Sequence, residues 1–270
     1  MAKGVYACID GVSRNVKQIP LCIDGVSRNT KEGWACVDGV SRQFFPSAIS
    51  MSSLSVGDSV FMNVNGVRTE FLIVHQGQPS SNGGTYTNAY GMWLLAKDIY
   101  TMRCYSVDNY TYYANSEIHN YLNTTFFNML DAGVASHILQ AGLPCTISGS
   151  GSSGALGSVT AKVFLLSLEE LYGQMSYFRR EGGPLNYFQY SGSESVLRQR
   201  RTGYYNGKIE SWFTRTHEFS GYSNAIARGT DTVNEPGSMS TMGGSASQGI
   251  RPAMIFPYDT ALDENFNIIA

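Results

Sequence analysis

Charged residues are scarce in this sequence. They make up 15% of its 270 residues, whereas an average globular protein has about 25%. The formal net charge is −2 and the isoelectric point is near 6.1, so no basic field exists to hold a nucleic-acid backbone. The densest positive run is RQRR at 198–201, which we interpret as a solvated loop. We therefore expect no nucleic-acid partner.

Long apolar runs are also missing. No stretch approaches the roughly 18 consecutive apolar residues of a membrane helix, so we expect no membrane insertion. The N-terminal residues MAKGVYACIDG do not contain the apolar segment of a signal peptide. These two absences predict synthesis in a cytoplasm without export by the usual route.

Cysteine pairs and common catalytic motifs are absent as well. The five cysteines are an odd number with no CxxC spacing, which argues against a disulfide framework or a zinc site. No HExxH and no GxSxG occurs, and both patterns would place a metal or a nucleophile. The four histidines are His75, His119, His137 and His217. We therefore predict no catalytic residue, no metal site and no cofactor.

A short repeat is the most distinctive feature that the sequence does contain. CIDGVSR occupies residues 8–14 and 22–28, and CVDGVSR occupies 36–42, which gives a period of 14 residues. Asp-Gly between short apolar runs is typical of a two-residue hairpin turn, because the turn needs positive φ angles. The predicted turns are Asp10-Gly11, Asp24-Gly25 and Asp38-Gly39. Residues 1–45 are thus predicted to form three 14-residue β-hairpins.

The repeats are interpreted as an attachment or assembly module. Three hairpins make a thin sheet, and its open edges favour pairing with another chain. We expect a homo-oligomer, and a trimer is one arrangement that such edges permit. The alternative is a plain β cap on the main domain. Cys8, Cys22 and Cys36 hold the same place in each copy, where they are expected to serve as small residues on a repeated face.

The rest of the chain is predicted to be an α+β domain. Residues 46–57 are small and polar and are predicted as a linker, which leaves 58–270 as the main domain. The predicted elements include a hairpin at 60–74 that turns on Asn65-Gly66, and a helix over 115–130 that Asn115 or Ser116 can cap. A strand is predicted at 163–166, followed by a capping box from Ser167 to Glu170. Further strands are predicted at 212–216 and 249–256, with loops at 174–210 and 217–248.

Three parts of this domain resemble a known family. They are YANSEIHNYLNTTFF (113–127), VFLLSLEELYG (163–173), and the pair SWFTRT (211–216) and GIRPAMIF (249–256). Together they resemble the C-type-lectin-like domains of the DUF6273 kind, found in bacterial and prophage proteins, over roughly residues 58–257. The resemblance implies a C-type-lectin-like fold after the repeats. The residues that it marks as structural are Trp212, Gly249, Arg251 and Pro252.

The chain departs from the related families in two respects. Calcium-binding C-type lectins use Glu-Pro-Asn or Gln-Pro-Asp with a later Trp-Asn-Asp, but here Glu235-Pro236-Gly237 lacks the amide ligand and no Trp-Asn-Asp follows. Formylglycine-type oxidases need a late cysteine pair, and no cysteine follows Cys145. Neither calcium-dependent sugar binding nor that oxidation is therefore expected.

The late loops are the predicted ligand-binding face. Tyrosine offers a large rigid contact area, and asparagine adds adaptable hydrogen bonds, as in antibody paratopes. This mixture suits a carbohydrate or protein receptor, although contact with a neighbouring subunit is an equal alternative. The candidate binding residues are Tyr204, Tyr205, Asn206, His217, Tyr222, Asn224, Arg228 and Asn234.

The repeats add a second resemblance, which leads to a functional hypothesis. They are similar to Asp-Gly-Val repeats in tail-associated proteins of bacteriophages that infect Gram-positive gut bacteria. The combination implies a non-enzymatic virion protein of the tail, baseplate or fibre, held to other virion proteins by its repeats and binding a host-surface glycan or protein. Two alternatives remain: a capsid-decorating protein with an outward adhesive domain, and an enzyme that acts on the cell envelope.

Overall fold

A computed structural model describes most of the main domain and the strands of the repeats. The described residues are 6–9, 12–15, 20–23, 26–29, 34–37, 40–43, 48–107, 111–149, 154–173, 180–189, 192–217, 223–227 and 236–269.

Each repeat contributes one antiparallel pair of four-residue strands. The strands are β1 (Tyr6–Ile9), β2 (Val12–Asn15), β3 (Pro20–Ile23), β4 (Val26–Asn29), β5 (Trp34–Val37) and β6 (Val40–Gln43). The register is the same in all three pairs, because each cysteine lies opposite a serine, as Cys8 does opposite Ser13. Within the described ranges each pair is a separate two-stranded sheet, so the packing of the hairpins together stays a prediction. The turns Asp10-Gly11, Asp24-Gly25 and Asp38-Gly39 lie outside the described residues.

The main domain is a mixed α/β structure with many strands and few helices. Its strands are β7 (Ile49–Ser50), β8 (Ser59–Val64), β9 (Val67–Gly77), β10 (Gly91–Ala96), β11 (Thr101–Arg103), β12 (Ala141–Ser148), β13 (Ala155–Ala161), β14 (Val163–Phe164), β15 (Gly203–Tyr205), β16 (Lys208–Glu210), β17 (Trp212–His217), β18 (Ser223–Ala227), β19 (Met239–Gly243), β20 (Gln248–Ile250), β21 (Ala253–Phe256) and β22 (Ala261–Leu262). The α-helices are α1 (Glu117–Tyr121), α2 (Ala132–His137), α3 (Leu168–Tyr172) and α4 (Glu194–Arg201).

Two five-stranded sheets organise these elements. The first has the order β14-β21-β10-β9-β8 and is antiparallel throughout. The second has the order β11-β20-β17-β18-β19, with one parallel contact between β17 and β20 at Trp212 and Gly249. The turn between β8 and β9 is the predicted one, since Asn65 and Gly66 have φ angles of 52° and 75°.

The hydrophobic core lies against the first sheet. All six residues of β10 are buried, which is expected of a strand covered on both faces. Trp93 is fully buried and makes edge-on ring contacts with Tyr86 and Phe164 at 5.6 and 5.5 Å. Its indole Nε1 donates to the carbonyls of Gly77 and Ala89, both at 3.0 Å. The core thus forms around a tryptophan whose polar atom is satisfied.

The predicted strand at 249–256 is broken in the structure. β20 belongs to the second sheet and β21 to the first, and Arg251-Pro252 carries the chain from one to the other. Proline has no N–H to donate to a ladder, so a strand ends there readily. The carbonyl of Pro252 still accepts a hydrogen bond from the Ala96 N–H at 2.9 Å. The GIRPA segment therefore joins the two sheets.

The predicted helix at 115–130 is helical but not continuous. Ser116 caps α1 by accepting from the His119 N–H at 3.2 Å, as predicted. After α1 the chain continues as a π-helical segment over 122–126 and a 3₁₀ turn over 127–129. The carboxamide of Asn123 reaches out of this segment to the backbone of Lys162 and Val163. This long-range anchor lies within the irregular turn.

Sequence reasoning missed two elements between 174 and 210. Helix α4 and the β15–β16 hairpin lie where a loop was expected. The RQRR run is the last turn of α4 and is not wholly solvated, because Arg201 is buried. Its Nη2 donates to Glu194 at 2.8 Å, and its guanidinium carbon lies 4.1 Å from the centre of the Tyr172 ring. The salt bridge and the aromatic contact explain why a cation is tolerated there.

The predicted linker makes contact with the main domain. β7 pairs with β22 near the other end of the chain, with Leu262 opposite Ile49. A 3₁₀ turn follows at Met51–Ser53, and the Met51 side chain is fully buried in the core. Division of the chain at residue 58 remains a prediction.

Candidate functional site: the cleft beside the Tyr204 hairpin

Three of the predicted binding residues lie on one tight hairpin. β15 and β16 pair around Asn206 and Gly207, whose φ angles of 51° and 75° are those of a type I′ turn. Tyr204 exposes 44% of its surface. Tyr205 packs partly against the core. The hairpin therefore presents one tyrosine to solvent and is fixed by the other.

The hairpin is held against the loop that follows β10. The Ile99 N–H donates to the Tyr204 carbonyl at 2.9 Å. Gly203 lies so close to Trp212 and Ile99 that an added Cβ would come within 2.9 and 3.0 Å of their side chains. Only glycine fits this approach without displacing a neighbour. Trp212 and Gly203 thus fix Tyr204 beside Ile99.

An open cleft of about 450 Å³ borders Ile99. We call it the hairpin cleft. Its volume lies within the roughly 300–1,000 Å³ range of small-molecule sites. Val67 is 65% exposed at one wall. Tyr100 forms part of another, with its ring packed edge-on against Phe126 and its hydroxyl 3.3 Å from the Met129 sulfur. The cleft thus combines exposed apolar surface with a fixed aromatic ring.

Charges of both signs line the hairpin cleft. Lys97 donates to both oxygens of Glu70, at 3.1 and 3.0 Å, and Ser59 donates to the same carboxylate at 2.5 Å. Partial burial favours a higher pKa for Glu70, but the hydrogen bonds from Ser59 and Lys97 hold that pKa below its ordinary value. The hydrogen bond to Glu70 raises the pKa of Lys97. Both groups are therefore ionised near neutral pH and can bind polar ligand groups.

Arg251 holds the backbone that leads into this cleft. Its Nε and Nη2 donate to the carbonyls of Ala96 and Lys97 at 3.0 and 2.8 Å, and its guanidinium carbon lies 4.8 Å from the Trp212 ring centre. Gly249 is equally constrained, because an added Cβ would lie 2.6 Å from Ile99. The residues marked as structural by the family resemblance, Trp212, Gly249, Arg251 and Pro252, therefore surround the backbone of 96–99.

His217 and Asn224, two other predicted binding residues, do not line this cleft. His217 is the last residue of β17, and its backbone lies opposite Asn224 of β18. Trp212, next to the hairpin, is at the other end of β17, and five strand residues span about 16 Å. Tyr222, Arg228 and Asn234 lie outside the described residues. The structure thus separates Tyr204, Tyr205 and Asn206 from His217 and Asn224.

A buried ionic network was not foreseen from the sequence. Arg215 and Glu170 are both fully buried and form a two-pronged ion pair, with Nη2–Oε1 and Nη1–Oε2 distances of 2.6 and 2.8 Å. Arg215 also donates to the carbonyls of Pro144 and Leu165, at 3.0 and 2.9 Å. Burial favours a lower pKa for Arg215, but the Glu170 carboxylate raises it above its ordinary value. The pair joins β17 to the start of α3.

A second carboxylate, that of Glu181, completes the network. It accepts hydrogen bonds from the Thr146 N–H at 2.6 Å and from the Thr216 hydroxyl at 2.7 Å. Burial raises the pKa of Glu181, although Arg215 and the two donors oppose this effect. Burial also raises the pKa of the neighbouring Cys145 to about 12, so its thiol stays protonated and is a poor nucleophile. These groups are closed off from solvent.

The sequence predicted the capping role of Glu170 but not its ion pair with Arg215. The capping box is present, since Ser167 accepts from the Glu170 N–H while Glu170 accepts from the Ser167 N–H. Capping accounts for only one oxygen of Glu170, and Tyr86 donates to the other at 2.8 Å. An arginine in a strand whose other residues are uncharged, as Arg215 is in SWFTRT, also indicates a buried anionic partner.

Two further findings bear on the kind of site. Among the described residues, no cluster of three or more His, Cys, Asp or Glu side chains could hold a metal ion. In the same part of the chain, no helix has both the length and the apolar character needed to cross a bilayer.

The described structure is thus a strand-rich α+β domain with a surface cleft and a buried ionic network. A family model described as "Domain of unknown function (DUF6273)" matches residues 90–258, which is more than half of the chain. The chain therefore belongs to the DUF6273 family, as the resemblance predicted. Comparisons with curated proteins and with solved structures give no match.

Proposed function

We propose that this chain is a non-enzymatic binding protein of a bacteriophage particle, located on the tail, baseplate or fibre. In this proposal the N-terminal hairpins attach it to other virion proteins. The DUF6273 domain, with a C-type-lectin-like fold, faces outward and binds a glycan or protein of the host surface. The identical strand register of the three hairpins supports the first part, because a repeated unit suits attachment to a repeated partner.

The observation that carries the binding role is the hairpin cleft. It is open, it lies beside the exposed Tyr204, and it offers a carboxylate, an ammonium group and apolar surface within one concave site. A saccharide presents hydroxyl groups and an apolar ring face, and a protein side chain presents a similar mixture. Both match this combination of polar and aromatic groups.

The buried groups support binding rather than turnover. Three charged side chains of the ionic network are fully buried or nearly so: Glu170, Glu181 and Arg215. Their hydrogen bonds go to other groups of the protein. A general acid or base must instead reach a substrate atom directly or through one water. The network is thus better suited to hold β17 and α3 in place.

Gold labelling of intact particles with an antibody to this chain tests the virion role. Label at the tail end is the expected result. Label distributed over the head would replace the proposal with the capsid-decorating alternative. Absence of label from particles that contain the other structural proteins would contradict a virion role.

A cell-binding measurement tests the cleft. Purified full chain is expected to bind host cells, and Tyr204→Ala is expected to weaken that binding roughly tenfold or more, as for an aromatic hot spot. Tyr90→Ala is the matched control, because Tyr90 is 68% exposed but precedes the opposite end of β10 from Lys97. Equal losses for both variants would contradict a site at the hairpin cleft. Turnover of purified cell-envelope polymer would favour the enzyme alternative.

A further inference from the structure

A second and smaller cleft lies beside α1 and the turn between β13 and β14. We call it the helix cleft. Its volume is about 240 Å³, below the usual range for drug-sized ligands, so it suits a single small group. The residues that line it include His119, Asn123, Phe127, Gln140, Thr160 and Lys162. None of these lines the hairpin cleft.

Asn123 builds the helix cleft. Its Oδ1 accepts from the N–H groups of Lys162 and Val163, at 3.0 and 3.2 Å, so its other terminal atom must be the amide nitrogen. That Nδ2 donates to the carbonyls of His119 and Val163, at 3.0 and 2.9 Å. One side chain therefore fixes Lys162 relative to His119, and the cleft is formed before any ligand arrives.

The same amide favours the His119 tautomer that carries its proton on Nε2. Asn123 Nδ2 lies 3.4 Å from His119 Nδ1, and an NH₂ group facing Nδ1 disfavours a second hydrogen there. Burial lowers the pKa of His119, so the ring is neutral near pH 7. Nε2–H is then the hydrogen-bond donor that the ring can offer. The ring is also held in an edge-on contact with Tyr113, at 5.1 Å between centres.

Lys162 supplies the charge of the helix cleft. Its ammonium nitrogen lies 4.9 Å from the centre of the Phe127 ring, an arrangement that orients a cation without neutralising it. It makes no ion pair with any described residue, and none of the residues that line the cleft is acidic. Gln140 and Thr160 also line the cleft, and the side chains of both residue types can donate hydrogen bonds. The cleft therefore combines several potential donors with a positive charge that no described residue neutralises.

We propose that the helix cleft binds a compact oxyanion, a phosphate or carboxylate group, through Lys162, His119, Gln140 and Thr160. Such a group accepts several hydrogen bonds and gains from a charge-assisted one. The whole chain has a net charge of −2, so nonspecific attraction does not favour anions and the local arrangement must provide it. This site is separate from the receptor site proposed above and does not depend on it.

Titration of the ¹⁵N-labelled full chain with sodium phosphate, and separately with sodium acetate, tests the proposal near pH 7.5 at constant ionic strength. The amide resonances of His119 and Lys162 are expected to shift and to saturate. Saturation with phosphate alone would assign a phosphate group, and saturation with acetate alone would assign a carboxylate. Absence of saturation with both anions would overturn the proposal.

Charge variants make the test specific. Lys162→Gln is expected to weaken binding roughly tenfold, because a hydrogen bond to a charged group is lost. Lys162→Arg keeps the charge and is expected to retain most of the binding. Lys208→Gln removes an exposed lysine on β16, outside the cleft, and is the matched control. An equal loss in Lys162→Gln and Lys208→Gln would overturn the assignment. None of these three variants alters Tyr204, so the cell-binding test gives an independent result.

Discussion

Arg215 and Arg251 are both buried, but the fold surrounds them differently. Arg215 faces the Glu170 carboxylate and has a raised pKa. Arg251 has no carboxylate partner among the described residues, and it donates to the carbonyls of Ala96 and Lys97. Burial lowers the pKa of Arg251 to about 10. One cation is stabilised by a counter-ion and the other by backbone dipoles and an aromatic ring.

The two arginines differ in what their removal would leave behind in the core. Removing one member of a buried ion pair leaves the other charge without compensation, which is far more costly than the pair is stabilising. Removing a cation whose hydrogen bonds go only to carbonyls leaves neutral acceptors. Arg251 Nη1 has no hydrogen-bond partner among the described residues, so part of its burial is already unfavourable. The two regions should therefore respond unequally to the same substitution.

Arg215→Met is expected to give the largest loss of stability. It leaves Glu170 as a buried anion with only Tyr86 and backbone donors, so the free energy of unfolding should fall by about 3–5 kcal/mol. Urea denaturation followed by tryptophan fluorescence measures the change. The chain's three tryptophans include Trp93 and Trp212, which are buried and report on both sheets.

Two further variants control this measurement. Arg103→Met removes an exposed arginine that lies over Tyr121 and should cost at most about 1 kcal/mol. Adding Glu170→Gln to Arg215→Met removes the uncompensated anion, so the double variant should be more stable than Arg215→Met alone. A loss below about 1 kcal/mol for Arg215→Met would show that the ion pair does not stabilise this region.

Local signals explain what the sequence could predict. The Asn65-Gly66 turn, the Ser116 cap and the capping box of Ser167 and Glu170 each depend on residues within a few positions, and all three are present. The strand at 212–216 is also present, as part of β17. Turn and cap chemistry is readable because the same few atoms decide it in any fold.

Long-range partners explain what the sequence could not predict. Glu170 and Arg215 are 45 positions apart, and nothing in either segment identifies the other. The break at Arg251-Pro252 depends on which sheet each half joins, and the irregular turn after α1 involves the anchor from Asn123 to Lys162. The binding-site prediction grouped Tyr204 with His217 because both lie in late loops, whereas β17 holds them apart.

Arg251→Met is expected to give an intermediate loss. The carbonyls of Ala96 and Lys97 lose their donor, at about 1–3 kcal/mol, but no uncompensated charge remains. The free energy of unfolding should therefore fall by less than in Arg215→Met, in the same urea measurement. Because Ala96 and Lys97 lead into the hairpin cleft, binding at that cleft should weaken as well. A loss equal to or larger than that of Arg215→Met would reverse the comparison.

Glu181→Gln is expected to give the smallest effect and one that depends on pH. Burial raises the pKa of Glu181 above its ordinary value of 4.5, so in the window above 4.5 the folded chain keeps a proton that the unfolded chain has released. By linkage, the stability contributed by this group falls as pH rises through that window. Glutamine does not titrate, so Glu181→Gln should gain stability relative to the natural chain as the pH rises above 4.5.

The sign of that pH dependence decides how the second carboxylate is held. Urea denaturation at several pH values measures the difference between the two chains, with Glu264→Gln at an exposed position as control. A difference that moves the opposite way would mean that Arg215 and the donors from Thr146 and Thr216 outweigh burial. Arg215 would then be compensated by two carboxylates rather than one, and its contrast with Arg251 would be sharper still.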